Sequence, residues 1–141
     1  MTDIQFRTGE NFSFDKVFAL YDQVGWTAYT ADKVVLEQAI NNSLLVLTAW
    51  SGQQLIGLLR AVGDGLTIVY VQDIIVAPDF RRQKIGRQLL SQLLEKYSSV
   101  RQIVLMTDNT NGTTSFYESC GLTRTENLRL QTFARLKTTI A

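Results

Sequence analysis

Hydrophobic and polar positions follow two different periods along this chain, and the changes of period mark its elements. Strand-like apolar runs cover 44–50, 54–62 and 66–77, with Ser-Gly and Gly-Asp-Gly turn signals between them. Because these connections are too short for a crossover, the three strands are predicted to be antiparallel neighbours. Shorter runs at 2–8 and 100–107 predict a first and a fifth strand.

Helical spacing of apolar residues appears first between the first strand and the three-strand meander. One helix is predicted behind Ser13 as its N-cap, and Gly25 is predicted to stop it. A second helix is predicted to begin at Thr30 and to end near Asn41 and Asn42. Two successive helices are therefore predicted before the main sheet.

The strongest helical pattern lies between the fourth and fifth strands, at residues 84–97. Its apolar stripe consists of Ile85, Leu89, Leu90, Leu93, Leu94 and Tyr97. A further helix is predicted over about 111–120, and the polar-alternating stretch 122–136 predicts one or two antiparallel strands. The predicted fold class is α/β (α+β), with a mostly antiparallel central sheet flanked by helices and the order β-α-α-β-β-β-α-β-α-β-β.

Composition supports one globular domain over residues 1–141. The chain has 45% hydrophobic and 19% charged residues, which is enough apolar surface to form a core. The formal net charge of +1 gives no overall field for nucleic acid or an anionic membrane. The N-terminus lacks a signal-peptide pattern and no uncharged apolar run approaches the roughly 18 residues of a membrane span, so a cytoplasmic location is expected.

The chain contains no histidine and one cysteine, Cys120. Mechanisms that need a histidine base, a Cys–His pair, a histidine-bearing metal site or a disulfide framework are therefore excluded. No metal is expected.

The sharpest local feature is a basic turn between an apolar strand and the strong helix. Four cations fall within seven residues: Arg81, Arg82, Lys84 and Arg87. The first N–H groups of a helix lack intrahelical partners and attract anions, and Gly86 lets a ligand approach the backbone, so the turn is suited to hold phosphate. The alternative interpretation is a solvated, exposed helix start.

Two motifs in this chain resemble those of the GNAT superfamily of N-acetyltransferases. The first is IIVAPDFRRQKIGRQLLSQLLEKY at 74–97, and the second is FYESCGL at 116–122. The predicted order of elements also resembles a whole GNAT domain. The resemblance implies that the pyrophosphate of acetyl-coenzyme A binds the turn and that its pantetheine arm lies along the end of the fourth strand.

The resemblance implies a set of coenzyme-binding residues in and near these motifs. They are Ile74, Ile75, Val76, Arg81, Arg82, Gln83, Lys84, Ile85, Gly86, Arg87 and Asn109. Lys84 stands where the family usually has a glycine, so either its backbone is helical or the pyrophosphate contact is altered, and its side chain can add a cation. Thr110 stands where the family has an asparagine, and the neighbouring Asn109 is assigned that contact.

Acetyl transfer to an amine needs an acid for the departing thiolate, an oxyanion donor and a neutral amine. The resemblance puts Tyr117 in the role of acid, and the alternative is a tyrosine that only packs. Asp73 is the best carboxylate for a base, and equally a structural hydrogen-bond acceptor. The resemblance implies that the oxyanion donor is a backbone N–H around Ile75.

The acceptor site is predicted in the loop after the first helix. Trp26 and Tyr29 stand there in a polar context, and aromatic rings can hold a cation or an apolar amine. Trp50 and Tyr70 lie on predicted strands, where packing is the better interpretation.

The sequence therefore predicts an acetyl-coenzyme A-dependent N-acetyltransferase for a primary amine of a small molecule or an amino terminus. The alternative is a non-catalytic acyl-coenzyme A sensor of the same fold. A nucleic-acid-binding domain ranks last, because the chain lacks net positive charge and an aromatic-flanked basic strand. No nucleic-acid or membrane partner is expected, and the alternating segment LRLQTFARL is suited to pairing across a homodimer.

Overall fold

The computed structural model describes residues 3–9 and 12–137. Across these residues, one sheet has the strand order β1-β2-β3-β4-β5, antiparallel except for the parallel pair β4 and β5. The strands are β1 (Ile4–Thr8), β2 (Leu45–Ser51), β3 (Gln54–Gly63), β4 (Ile68–Val76) and β5 (Gln102–Leu105). The meander and the strands on either side of it are confirmed, and residue 2 of the predicted first strand lies outside the described residues.

The helices of the described residues agree with the predicted succession, with one short addition. They are α1 (Phe14–Gln23), α2 (Thr27–Thr30), α3 (Lys33–Asn41), α4 (Ile85–Lys96) and α5 (Asn111–Ser119). The Ser13 side chain caps α1, and Gly25 follows its end with a positive φ, as predicted. The predicted cap at Thr30 is wrong, because Thr30 ends α2 and the Asp32 carboxylate accepts the Val35 N–H to begin α3.

Helices cover both faces of the sheet, and the side chains of β3 show which helix lies on which face. Gly57 faces α4, because a Cβ built there would lie 3.2 Å from Ile85 Cγ2. Arg60, three residues further along, lies on the opposite face and meets Tyr21 of α1 around Asp73 of β4. Residues 55–61 are consequently all buried, so β3 forms the centre of the core.

A β-bulge in β4 divides that strand into two parts. Arg60 pairs with Asp73 and Ala61 pairs with Val71, which leaves Gln72 as an extra residue without a partner across β3. The pairing of β4 with β5 also ends here, at Val71 and Leu105. The end of β4 after the bulge therefore has β3 on one side and an open edge on the side where β5 has separated.

The described chain divides into two compact units, Met1–Met106 and Thr107–Ala141, and the single domain expected over 1–141 stays a prediction. In the second unit, α5 forms as predicted, but the one or two strands expected over 122–136 are wrong for the described residues 122–137. Residues Thr125–Leu128 instead form a 3₁₀ helix, closed by a bond from the Leu130 N–H to the Thr125 carbonyl. Arg129 follows with a left-handed φ of 60°, which interrupts the extended backbone that a strand requires.

Candidate functional site

The basic turn, defined here as residues 81–87, connects β4 to α4 through a 3₁₀ turn at Pro78–Phe80. Its residues Arg81, Arg82, Gln83 and Lys84 are exposed. The first intrahelical bond of α4 joins the Gln88 N–H to the Lys84 carbonyl, so the N–H groups before it point out of the helix start. Positive side chains and outward amides together form a surface suited to an anion.

Two residues of the basic turn have left-handed backbones without being glycine. Arg82 has a φ of 66° and Lys84 has a φ of 62° and a ψ of 22°. Of the two alternatives for Lys84, the ordinary helical backbone is therefore wrong. Left-handed turns bring neighbouring N–H groups to one side, which favours anion binding, and non-glycine residues adopt them at an energetic cost.

The open edge of β4 presents backbone groups of Ile74 and Val76. The Ala77 N–H donates to the Ile56 carbonyl across β3, and the direction of N–H groups alternates along a strand. By this alternation Ile75 directs its N–H towards β3, whereas Ile74 and Val76 direct theirs to the open edge. The Arg81 Nε donates to the Val76 carbonyl at 3.4 Å on that edge. An oxyanion donor is thus better assigned to Ile74 or Val76 than to Ile75.

Next to the bulge lies a buried polar group that we call the Asp73 cluster: Tyr21, Tyr29, Arg60 and Asp73. The Asp73 carboxylate accepts from Tyr21 Oη at 2.8 Å, from Tyr29 Oη at 2.8 Å and from Arg60 Nε at 2.9 Å. Asp73 is 2% and Arg60 6% exposed. Burial and the neighbouring Asp73 charge raise the pKa of Tyr21 far above its ordinary value, and the same two causes raise the pKa of Tyr29.

These contacts favour the structural alternative for Asp73 over the role of base. Three donors already occupy its two oxygens, one of them through the buried ion pair with Arg60, so the carboxylate is already engaged within the fold. Removing one partner of a buried ion pair lowers the free energy of unfolding by roughly 3–5 kcal/mol, because the remaining charge stays buried without compensation. The partners of Asp73 are therefore needed to keep its carboxylate inside the fold.

The predicted acceptor residues adjoin the Asp73 cluster. The rings of Trp26 and Tyr29 are stacked with centroids 5.9 Å apart, and Tyr21 packs against both of them. Trp26 and Tyr29 are partly exposed while Tyr21 is fully buried. Trp50 is buried in β2, as its packing interpretation predicted. The sequence reasoning missed the neighbour Gln72, whose Nε2 donates to Tyr29 Oη at 3.0 Å.

The second unit holds Tyr117 and Asn109. Burial raises the pKa of the half-buried Tyr117, while a hydrogen bond with the Thr107 side chain opposes that shift. Thr110 is the N-cap of α5, and its hydroxyl accepts the Thr113 N–H. Asparagine and threonine can both fill this capping role, so the helix start tolerates a threonine at a position where an asparagine was expected. Asn109 is exposed just before the helix.

Two further observations concern membranes and metals. None of the helices in residues 3–9 and 12–137 combines the length and apolar character needed to cross a bilayer. The same residues contain no group of three or more Cys, Asp or Glu side chains arranged to hold a metal ion.

A family model described as "Acetyltransferase (GNAT) domain" matches residues 17–135 of this chain. The "Uncharacterized N-acetyltransferase ycf52-like" of Prochlorococcus marinus is 31% identical over 110 residues. That alignment covers 74% of this chain and 59% of the relative, so this chain spans less than two thirds of the relative's length.

Solved structures show the same architecture. The "Acetyltransferase, GNAT family protein SP0256 from Streptococcus pneumoniae TIGR4" is 32% identical with a TM-score of 0.85, covering 97% of this chain and all of that one. The "Aminoglycoside N-Acetyltransferase AAC(6')-Iy in Complex with CoA" is 20% identical with a TM-score of 0.69, covering 98% of this chain and 97% of that one. At this lower identity the second likeness shows the fold alone.

Proposed function

The chain belongs to the GNAT acetyltransferase family, and on that premise we propose that it is an N-acetyltransferase that uses acetyl-coenzyme A. Its acceptor is a primary amine of a small molecule or an amino terminus. The observation that carries this proposal is the open edge of β4, which leads directly into the basic turn.

The coenzyme fits these two neighbouring surfaces because its two parts have different chemistry. The amides of the pantetheine arm can pair with the outward backbone groups of Ile74 and Val76. The pyrophosphate can bind the outward amides at the start of α4 and the exposed cations of the basic turn. The AAC(6')-Iy structure, which shares this fold, was determined in complex with CoA and supports the choice of donor.

The proposed reaction needs few groups from the protein. The neutral amine attacks the thioester carbonyl and forms the N–C bond, and a backbone N–H of Ile74 or Val76 stabilises the resulting oxyanion. Collapse of this intermediate breaks the C–S bond. The thiolate takes the Tyr117 proton, the amine nitrogen releases its proton to water, and Tyr117 regains a proton from water. A tyrosine with a raised pKa remains protonated at neutral pH and so can act as the acid.

The test is thiol release from acetyl-coenzyme A against a panel of amines, with Tyr117→Phe beside the wild type. We expect the variant to lower kcat by roughly 10²- to 10⁴-fold, the range for a positioned acid, and to change the coenzyme Kd less than twofold. Tyr97→Phe is the matched control, because Tyr97 is another half-buried tyrosine with a raised pKa but lies at the end of α4. We expect wild-type kcat for that control.

The outcomes separate the enzyme from the alternative sensor. Coenzyme binding without thiol release for any amine would contradict the proposed function and favour the non-catalytic interpretation. Wild-type kcat in Tyr117→Phe across the pH range would contradict the assignment of the acid while leaving the transferase intact.

A further inference from the structure

Gln72 stands at the outer end of a chain of hydrogen bonds that begins inside the protein. The buried Asp73 carboxylate accepts from the Tyr29 hydroxyl, and the Tyr29 oxygen accepts from Gln72 Nε2. Gln72 itself is exposed.

The carboxylate at the inner end determines which atom donates and which accepts in each of these hydrogen bonds. A tyrosine hydroxyl has one proton, and at 2.8 Å from Asp73 Oδ1 that proton must point to the carboxylate. The Tyr29 oxygen can then only accept, so the Gln72 atom 3.0 Å away must be the amide nitrogen. The Gln72 carbonyl oxygen is consequently turned the other way, where no described residue donates to it.

The β-bulge explains why Gln72 reaches this position. In a regular strand, Gln72 and Asp73 would point to opposite faces of the sheet. Because Gln72 is the extra residue of the bulge, both side chains reach Tyr29. The bulge also lies where β5 separates from β4, so Gln72 stands at the beginning of the open edge.

We propose that Gln72 is a specificity-determining residue of the acceptor site, where its carbonyl oxygen accepts an N–H of the amine substrate. Asp73 is a positioning residue that acts through Tyr29, because it fixes the direction of the Gln72 amide. This proposal rests on the proposed function, which supplies the amine acceptor. The site therefore selects ligands with N–H donors over cations of similar shape that have none.

The chain of hydrogen bonds is tested first without any ligand, by the side-chain amide NMR signal of Gln72 in the ¹⁵N-labelled protein. We expect Tyr29→Phe, which keeps the ring and removes the hydroxyl, to move this signal to the position of exposed glutamines. Tyr21→Phe is the matched control, because it also removes one hydroxyl from Asp73, but the Tyr21 hydroxyl is buried and bonds to Asp73, whereas Gln72 bonds to Tyr29. The control should leave the signal in place.

The selectivity is tested with two probes, benzylamine and benzyltrimethylammonium, which share a ring and a positive charge but differ in N–H donors. We expect the wild type to bind benzylamine about tenfold more tightly, the effect of one hydrogen bond of about 1.4 kcal/mol. Gln72→Leu should make the two Kd values equal, while the coenzyme Kd changes less than twofold. Tyr21→Phe should keep the tenfold preference.

The NMR and binding results test the role of Gln72 independently of thiol release. A Gln72 signal already at the position of exposed glutamines, equal shifts in Tyr29→Phe and Tyr21→Phe, or binding without preference for benzylamine would each overturn it. Binding of neither probe would also overturn it. A benzylamine preference lost in Gln72→Leu supports it even where thiol release is absent, and that absence would contradict only the proposed function.

Discussion

The Asp73 cluster and the basic turn both place charged side chains on or just after β4. In the cluster these charges are paired within the protein, whereas in the basic turn they face water. In the cluster, the charges of Arg60 and Asp73 are buried, and every charge and hydroxyl is satisfied by another group of the protein. In the basic turn, Arg81, Arg82 and Lys84 are exposed to water. A satisfied buried group stabilises the fold, whereas exposed donors can exchange water for a ligand at small cost. The two regions should therefore respond differently to the loss of one charge.

The largest effect is expected from removing one arginine of each region. Arg60→Met leaves the Asp73 charge buried without its ion pair and should lower the free energy of unfolding by about 3–5 kcal/mol. Arg81→Met should change it by less than about 0.5 kcal/mol, because Arg81 is exposed. Urea denaturation measures both.

A double variant serves as the control for this contrast. Arg60→Met with Asp73→Asn removes the buried charge as well, and the asparagine oxygen can still accept from a tyrosine, so it should unfold less easily than Arg60→Met alone. If Arg60→Met and Arg81→Met lowered the free energy of unfolding by similar amounts, the distinction between the two regions would be wrong.

A smaller effect on stability is expected in alkali, and of the two regions only the Asp73 cluster should produce it. The folded state holds the pKa of Tyr21 above the unfolded value near 10, so above that pH the unfolded state releases a proton that the folded state keeps. The free energy of unfolding should fall with rising pH, by up to about 1.4 kcal/mol per pH unit for Tyr21. The stability that Tyr21 contributes is thus present below pH 10 and lost above it.

Tyr21→Phe should flatten this slope, and denaturation curves between about pH 9 and pH 11 measure it. Tyr97→Phe, at a half-buried position, is the comparison. A slope unchanged by Tyr21→Phe would show that other groups cause the alkaline loss.

The smallest effect is expected from the backbone of the basic turn. Lys84→Gly and Lys84→Ala both remove the charge, but only glycine adopts the left-handed backbone at φ 62° without a steric cost. Lys84→Gly should therefore be about 1 kcal/mol more stable than Lys84→Ala. Any loss of coenzyme affinity common to both variants reports the lysine charge. Equal stabilities of the two variants would show that the left-handed backbone carries no strain here.

The same contrast explains which parts of the site the sequence predicts. The basic turn is visible because its cations and the apolar stripe after them are adjacent in the chain. The Asp73 cluster joins residues from α1, α2, β3 and β4, so its partners become visible only through the register of β3 and β4. Arg60 did offer a signal, as a lone charge in an apolar run facing another apolar run with a lone aspartate. Gln72 offered none, because the bulge that turns it is a property of two paired strands.

The fold was predicted best where hydrophobic period and turn signals coincide, as in the meander and α4. The stretch 122–136 failed because alternation also occurs in segments without a partner strand. Four of its large apolar side chains are exposed, namely Leu128, Leu130, Phe133 and Leu136, so the alternation there does not report burial. A period of two indicates a strand only where one face of the segment is covered.

Gly57 connects the centre of the sheet to the basic turn. A Cβ at this position would lie 3.1 Å from Ala49 Cβ and 3.2 Å from Ile85 Cγ2, closer than ordinary contacts. Ile85 is the first residue of α4, so a single methyl group in β3 would push against the start of that helix. A substitution at this buried glycine would therefore press on the segment between β4 and the amides that open α4. If the basic turn binds the coenzyme as proposed, a substitution at position 57 in the core should therefore change the affinity for it.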